Sequence, residues 1–325
     1  MEENLFEQRV DITALNNAVI NIRNEISKVI VGQHKMVDLL LIALLCDGHV
    51  LIEGVPGVAK TLTAKLLSKI INTNFSRIQF TPDLMPSDVL GTSIFNPKES
   101  QFEFKKGPVF SNVILIDEIN RAPAKTQAAL FEVMEERQVT IDGNSYPMGL
   151  PFMIVATQNP IEYEGTYRLP EAQLDRFLFK INVPYPTEEQ EITILNNFHK
   201  AGTANILDNV TPVLSAEQIQ SVKALVKQVI IDEKLLPFIA KIIITSRSHK
   251  SLFLGASPRA SIALMNASKA FAAIAGRDFV IPDDIVFAAP NVLRHRLLLS
   301  PEKEMEGITT DEVIRQIIHS LEIPR

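Results

Sequence analysis

The stretch Gly54–Thr61, GVPGVAKT, directly follows an apolar run at His49–Ile52. A phosphate-binding loop needs a sharp turn whose backbone N–H groups converge on phosphate oxygens, then a lysine, then a hydroxyl residue at the start of a helix. The stretch supplies that turn and ends in Lys60 and Thr61. It departs from the usual pattern at Ala59, where the pattern has glycine, and a methyl group is tolerable there if the backbone already lies in the helical region. The stretch therefore predicts a nucleotide site, and a strand-to-helix turn with two glycines is the alternative.

Two adjacent carboxylates end another apolar run, Val113–Glu118, VILIDE. Carboxylates at the end of a buried strand are costly unless something outside the sheet requires them. In a phosphoryl-transfer site the first, Asp117, holds Mg²⁺ through water beside the Thr61 hydroxyl, and the second, Glu118, polarises the attacking water. An acidic cap before the helix near Pro123 is the alternative. The position of the pair after the candidate loop, with a crossover connection between them, favours the metal site.

A third candidate is Asn159, in the stretch ATQNP at the end of the run Phe152–Thr157. An amide placed there can hydrogen-bond the same water or the γ-phosphate from a neighbouring strand. A turn formed by Asn159 and Pro160 is the alternative.

Short apolar runs rich in β-branched residues alternate with helical patterns through the first half of the chain. This alternation predicts an α/β fold with a parallel sheet and crossover helices. The predicted helices that lie between strands are Thr61–Ile71 and Lys125–Glu135. The predicted strands are His49–Glu53, Arg77–Phe80, Val113–Asp117, Phe152–Thr157 and Phe179–Val183.

Two inserts interrupt the alternation, at Thr81–Phe110 and Gln138–Met148. The first contains the alternating stretch QFEFK, and the second contains an Asp142-Gly143 turn after alternating apolar residues. Both are predicted to form hairpins that project from the sheet.

The strand signal ends after PYPT, at Pro184–Thr187, and the rest of the chain is predicted to be helical. Two helices, Ile12–Val31 and His34–Cys46, precede the first strand. The predicted organisation is a helical segment at residues 1–30, a nucleotide-binding core at 31–186 and a helical domain at 187–325. The predicted helices of this last domain are Glu188–His199, Ala216–Ile230, Pro258–Ala275, Pro282–Leu298 and Thr310–Leu321.

The composition describes an ordinary globular protein with 46 % hydrophobic residues and a formal charge of −6. That charge provides no global basic field for nucleic acid or anionic lipid. The only cysteine, Cys46, lies in an apolar run and predicts a buried thiol in a reducing compartment. No leader and no membrane span are expected, which predicts a cytoplasmic protein. The histidines show no metal-ligand spacing, and His295, in LRHRL, is interpreted as part of the basic end of a helix.

The chain carries in order the motifs Gly32-Gln33, GVPGVAKT, LIDEINRA, ATQNP, LPEAQLDRF at Leu169–Phe177 and SPRA at Ser257–Ala260. Together these motifs resemble those of the AAA+ ATPases, and within them the MoxR family, from about Val31 to Leu299. The resemblance implies an AAA+ P-loop sheet with flanking helices and hairpin inserts, followed by a smaller all-helical lid domain. It also implies hydrolysis of ATP with Mg²⁺.

The resemblance assigns a role to several side chains. Asn159 corresponds to a sensor amide, Arg176 to an arginine finger that reaches the γ-phosphate of a neighbouring subunit, and Arg259 to a second sensor acting in its own subunit. Arg168 is an alternative candidate for the finger or a residue that lines the subunit interface, and Arg121 is another interfacial candidate. A surface salt bridge is the simpler interpretation of each arginine taken alone. The residues expected to bind nucleotide are Gly32, Gln33, Gly54, Val55, Pro56, Gly57, Val58, Ala59, Lys60, Thr61, Leu62 and Asp117.

A finger supplied by a neighbour implies a homo-oligomeric ring, which we expect to be a hexamer. MoxR relatives imply a chaperone-like motor that remodels or matures partner complexes, including metal insertion with a partner that carries a von Willebrand factor A domain. A DNA translocase related to helicases and a magnesium-chelatase-like motor subunit are the alternatives. The inserts offer Lys98, Lys105 and Lys106 offset by acidic residues, which makes nucleic acid a weaker expectation. The presence of Lys60, Asp117 and Glu118 disfavours a scaffold that binds nucleotide without hydrolysing it.

Overall fold

The computed structural model describes residues 10–55, 57–159, 167, 169–201 and 206–324. Its helices are α1 Thr13–Ser27, α2 His34–Leu45, α3 Lys60–Ile70, α4 Pro86–Leu90, α5 Ala124–Glu136, α6 Glu171–Leu174, α7 Glu188–Ala201, α8 Ala216–Gln228, α9 Leu235–Ser248, α10 Pro258–Ile274, α11 Pro282–Leu293, α12 Pro301–Met305 and α13 Thr310–His319. Its strands are β1 His49–Gly54, β2 Phe75–Gln79, β3 Gly91–Asn96, β4 Gln101–Lys106, β5 Val113–Asp117, β6 Gln138–Ile141, β7 Asn144–Pro147, β8 Met153–Gln158, β9 Phe177–Val183, β10 Leu252–Leu254 and β11 Leu298–Leu299.

Five strands form one parallel sheet in the order β2-β5-β8-β1-β9. The predicted parallel sheet is confirmed, and the first and last residues of each predicted strand differ by at most two positions from those observed. Because all five strands run the same way, the ends of β1, β5 and β8 meet at one edge, which we call the carboxyl edge. The opposite edge, where β1 and β9 begin, is the amino edge.

The sheet is buried on both faces. Val50 and Ile52 of β1 pack in one apolar cluster with α1, α2 and α3, whereas Leu51 packs in a second cluster with residues of α5. Alternate side chains of a strand point to opposite faces, so a continuous apolar run is the pattern that a covered parallel strand requires.

Both inserts form antiparallel hairpins, β3–β4 and β6–β7, as predicted. The two hairpins contact each other: the Ser93 hydroxyl donates to Asp142 Oδ2 at 2.5 Å, and the rings of Phe104 and Tyr146 have centroids 4.4 Å apart. The β3–β4 hairpin exposes Phe95 and Phe102. The hairpins therefore form one projecting unit that exposes two phenylalanines beside the turn of β3–β4.

Within the described residues, the helical region after β9 departs from the predicted all-helical pattern at a short ladder and at an isolated bridge between Ile230 and Phe279. Leu252 and Leu299 pair in a short antiparallel ladder, β10–β11. The predicted helix Pro282–Leu298 ends at Leu293, because the next residues turn back toward β9. The first predicted helix also ends early, at Ser27, and α9 was not predicted at all.

Three consecutive residues after α11 fasten this helical region to β9, the edge strand of the sheet. Arg294 donates to the carbonyl of Lys180 at 3.0 Å, His295 Nε2 to that of Phe177 at 2.9 Å, and Arg296 to Phe177 at 2.8 Å. The pKa of His295 is lowered well below its usual value, chiefly by burial, so the ring is neutral. The segment is therefore not simply the basic end of a helix. Its side chains satisfy backbone carbonyls that an edge strand leaves unpaired.

The helices that precede β1 and those that follow β9 in the chain share one apolar core. Contacts join α1 to α3 and α10, and α2 to α8 and α10. The domain boundaries at residues 30 and 186 stay predictions.

Candidate functional site

The loop between β1 and α3 turns through left-handed backbone. Gly57 has φ 87° and Ala59 has φ 61°, and α3 begins at Lys60. The Lys60 ammonium donates to the carbonyl of Gly54 at 2.6 Å, so the lysine folds back over its own loop. The loop thus presents a cation and a helix N-terminus at the carboxyl edge, which is a favourable arrangement for phosphate.

An alanine fits this position of the loop without strain only if its backbone is right-handed helical, and the backbone of Ala59 is not. Ala59 lies in the left-handed region rather than in the right-handed helical region. The left-handed conformation brings Cβ too close to the following carbonyl oxygen, at a cost of about 1–2 kcal/mol. This explains why the general pattern has glycine at the position of Ala59.

The acidic pair lies where the sequence places it, at the end of β5. Asp117 is buried, and its two oxygens accept from Arg77 Nε at 2.6 Å and from the Thr157 hydroxyl at 3.2 Å. Glu118 has left-handed backbone (φ 57°), and its N–H donates to the Thr157 hydroxyl at 3.1 Å. The turn directs the two consecutive carboxylates to different partners.

Two polar side chains of β2 complete this site and were missed by the sequence reasoning. Gln79 donates to Glu118 Oε2 at 2.7 Å, and Arg77 holds Asp117. Arg121, which the sequence offered as an interfacial arginine, forms an ion pair with Glu118 in the same subunit at 3.2 Å. The signal was present: polar residues two apart on a strand share a face, and β2 lies beside β5.

The remaining candidates of this edge lie near the loop. Asn159 directly follows β8, whose last residue, Gln158, pairs with Glu53 of β1. Gln33 donates to the carbonyl of Pro184 at 3.4 Å, beyond the end of β9. Pro56 and Arg168 lie outside the described residues.

Arg176 lies at the amino edge, directly before β9. Register places Phe177 opposite His49, the first residue of β1, so Arg176 is about five residues of strand, or about 16 Å, from Gly54. Its guanidinium donates to the carbonyl of Phe131, lies 6.0 Å from that residue's ring and forms an ion pair with Glu135 at 3.7 Å. Arg176 therefore cannot reach the phosphate loop of its own subunit.

Arg259 lies beside Arg176, not at the loop. It donates to Glu135 Oε1 at 3.1 Å. Glu135 is near the end of α5, where the carbonyl of the preceding residue, Met134, contacts His49 Nε2 at 3.3 Å. In this conformation the ion pair with Glu135 holds Arg259 at the amino edge, and its expected contact with the γ-phosphate of its own subunit stays a prediction.

The residues of the carboxyl edge fit ATP with Mg²⁺. Mg²⁺ prefers oxygen ligands and is commonly bound through one or two carboxylates plus phosphate oxygens. Thr61 and Asp117 provide a hydroxyl and a carboxylate, and Lys60 provides a cation for the phosphates.

Comparisons with known proteins agree with this geometry. The model of the ATPase family associated with various cellular activities (AAA) matches residues 49–179, and that of the AAA lid domain matches residues 244–317. Chaperone MoxR1 of Mycobacterium tuberculosis is 42 % identical over 93 % of this chain and 81 % of that protein. The chain belongs to the MoxR family of AAA+ ATPases. This MoxR-family chain is an ATP-hydrolysing enzyme, with a parallel-sheet AAA domain followed by a helical lid.

Two further relatives match the chain over nearly its whole length. The uncharacterised protein YeaC of Bacillus subtilis is 47 % identical over 92 % of each chain. The crystal structure of a candidate ATPase from Cytophaga hutchinsonii superposes with a TM-score of 0.90 at 42 % identity, covering 97 % of each chain. Within the described part of this MoxR-family chain, no helix is long and apolar enough to cross a membrane.

Proposed function

We propose that this MoxR-family ATPase works as a ring of identical subunits, a hexamer, in which the carboxyl edge of one subunit binds ATP and the amino edge of its neighbour completes the site. One observation carries the proposal: Arg176 lies about 16 Å from the phosphate loop of its own chain. Negative charge on the transferred phosphoryl group must be met by cations. A second copy is the natural source of these cations.

Each subunit supplies the binding half of the site from its own loops. Backbone N–H groups of the phosphate loop and the Lys60 ammonium hold the phosphates, and Gly32 and Gln33 lie beside the base. Bound Mg²⁺, held by Thr61 and Asp117, neutralises charge on the phosphate oxygens. Glu118 orients and polarises the attacking water, and Asn159 donates to that water or to the γ-phosphate.

The neighbouring subunit supplies the arginines. Arg176 acts as the finger, and Arg259, which shares Glu135 with it, acts on the same neighbouring phosphate. This assignment differs from the sequence-based expectation that Arg259 serves its own subunit. Removing a finger of this kind lowers hydrolysis on the order of a thousandfold.

The motor remodels or matures partner protein complexes in the cytoplasm, as a chaperone-like machine. The name of the relative MoxR1, a chaperone, supports this class of work. The exposed Phe95 and Phe102 beside the turn of β3–β4 give an apolar surface suited to a polypeptide client. We extend the proposal to a partner that carries a von Willebrand factor A domain and to a role in metal insertion.

A DNA translocase is less well supported by the hairpins. One basic side chain of the first hairpin is engaged within the subunit: the Lys106 ammonium lies 5.1 Å from the centre of the Phe110 ring. Phe102, beside the turn of the first hairpin, is 72 % exposed, and the lysines of this insert are accompanied by Glu99 and Glu103. A magnesium-chelatase-like motor would use the same ATP site and would differ only in its client.

The test measures ATP hydrolysis per subunit against protein concentration, for the wild type, Glu118→Gln, Arg176→Ala and an equimolar mixture of the two variants. Specific activity should rise with concentration, and each variant alone should be nearly inactive while it still binds ATP. The mixture should recover part of the activity, because an intact loop of one variant meets an intact arginine of the other. Arg315→Ala, which removes an exposed arginine of α13, is the matched control and should behave like the wild type.

Two results would refute the shared site. Activity per subunit that does not depend on concentration would show that one chain suffices. A mixture no more active than its components would show that Arg176 does not serve a neighbouring loop.

A further inference from the structure

The carboxylate of Glu135 contacts both arginines of the amino edge. Its Oε1 accepts from Arg259 at 3.1 Å, and its Oε2 forms an ion pair with Arg176 at 3.7 Å. The two arginines come from segments more than 80 residues apart in sequence, and both contact this side chain of α5. Two guanidinium groups held this close repel each other unless a negative charge lies between them.

The backbone around both arginines is fixed by a second carboxylate. Asp175, the neighbour of Arg176, accepts from Arg296 Nε at 2.6 Å and from the Ser257 hydroxyl at 3.2 Å. Ser257 lies two residues before Arg259. Because Asp175 joins the segment of Arg176 to that of Arg259, the two backbones are adjacent whichever group the arginine side chains contact.

The contacts of Glu135 differ from those of Asp175 in burial. The side chain of Arg296 is 4 % exposed, whereas Glu135 is 37 % exposed and Arg259 63 % exposed. Exposed ion pairs contribute little to stability, typically below about 1 kcal/mol, so they exchange readily for another anion. A phosphate offers the same kind of oxygen acceptors as a carboxylate and binds arginine well.

We propose that Glu135 is a positioning residue for ATP hydrolysis in the neighbouring subunit. It holds Arg176 and Arg259 together on the amino edge, and both arginines exchange its carboxylate for the γ-phosphate of the adjacent copy. The inference rests on the proposed shared site. It adds that the two arginines act as one unit, and that a residue which never touches the nucleotide sets their geometry.

The experiment uses the complementing mixture. In that mixture the Glu118→Gln subunit lends its arginines, and the Arg176→Ala subunit provides the working loop. Glu135→Gln is added either to the lending subunit or to the subunit with the working loop. Glutamine keeps the size of the side chain and removes only its charge.

The recovered hydrolysis should fall roughly fivefold when Glu135→Gln is in the lending subunit, and it should not change when the substitution is in the other subunit. The fall should appear in kcat rather than in the KM for ATP, since the loop that binds ATP is untouched. Glu132→Gln, an equal charge change at an exposed position of the same helix, is the control and should have no effect in either subunit.

A double-substitution cycle tests the coupling to Arg259. In a lending subunit that already carries Arg259→Ala, adding Glu135→Gln should have less than half of its effect on rate, because one of its two arginines is gone. Glu135→Asp, which restores the charge, should recover part of the activity.

The outcomes separate the two proposals. No recovery in the parent mixture would overturn the shared site and this inference with it. Recovery in the parent mixture with equal loss in both placements, or with no loss in either, would leave the shared site standing and overturn the role of Glu135.

Discussion

The two edges of the sheet are built from different kinds of contact. At the carboxyl edge, Glu118 is held by Gln79 and Arg121, and the Glu118 side chain is 31 % exposed. At the amino edge, Arg296 is almost fully buried and donates to several carbonyls as well as to Asp175. Glu118 is therefore held by partly exposed contacts, whereas the backbone that carries Arg176 is held by a buried polar network around Arg296.

This difference follows from what each edge has to do. Side chains that act on a subunit's own ATP must exchange partners as phosphates and water come and go, so weak and exposed contacts suit them. In the proposed ring, the segments that carry Arg176 and Arg259 have to be held rigidly by their own subunit, since the neighbour has no covalent link to position them. A buried network of satisfied hydrogen bonds provides that rigidity.

The largest expected effect is a loss of stability on removing the buried ion pair of the amino edge. Replacing Arg296 by methionine removes the cation paired with Asp175 Oδ1 and the donor to the Leu178 carbonyl, and it leaves the Phe177 carbonyl with His295 alone. Removing one partner of a buried ion pair costs about 3–5 kcal/mol, and we expect the free energy of unfolding to fall by that amount. Urea denaturation followed by circular dichroism measures it.

The matched control is Lys303→Met. Lys303 forms an ion pair with Glu306 at 2.7 Å, but the two side chains are 33 % and 52 % exposed, so the expected loss is within about 1 kcal/mol. Equal losses for Arg296 and Lys303 would mean that burial does not distinguish the amino edge.

The sequence predicted the carboxyl edge far better than the amino edge. The lysine, the hydroxyl and the acidic pair each lie in a short stretch, at the end of an apolar run, where local pattern is informative. The parallel sheet and the hairpins were predicted for the same reason. These features need only neighbours in sequence.

The contacts of the amino edge join residues far apart in the chain, and no local pattern encodes them. Arg259 and Glu135 are 124 residues apart, and Arg296 and Asp175 are 121 apart. The sequence therefore identified Arg176 and Arg259 but not their common partner. The segment around His295 was interpreted as the end of a helix, because the local pattern does not show that β9 is the outermost strand of the sheet.

The second effect is a pH dependence at the amino edge. His49 Nδ1 accepts from the N–H of Ile154 at 3.0 Å, so the ring proton lies on Nε2, which faces the carbonyl of Met134 at 3.3 Å. Burial lowers the pKa of His49 to about 4 from its usual 6.5. A second ring proton would remove the acceptor that Ile154 needs.

Because the folded pKa is the lower one, the unfolded chain binds the proton more tightly. The stabilisation is complete above pH 6.5 and is lost as the pH falls from 6.5 toward 4. We expect His49 to account for about 2 kcal/mol of lost stability at pH 5 relative to pH 7. Urea unfolding at both pH values should therefore show a smaller decrease for His49→Gln than for the wild type, and equal decreases would contradict this assignment.

The smallest effect tests the carboxyl edge. Ala59 carries a methyl group at φ 61°, where glycine is unstrained, so Ala59→Gly should relieve strain in the phosphate loop. Glycine also makes the unfolded chain more flexible, which offsets part of the gain, and we expect a net stabilisation of about 0.5–1 kcal/mol. Differential scanning calorimetry should show a rise in Tm of about 2 °C.

Ala128→Gly, at an exposed right-handed position of α5, is the control. It should shift Tm the other way, because glycine there lowers helix propensity by about 1 kcal/mol. Shifts of the same sign would mean that the loop backbone at Ala59 is not left-handed in solution, and that the nucleotide edge is not strained by its alanine.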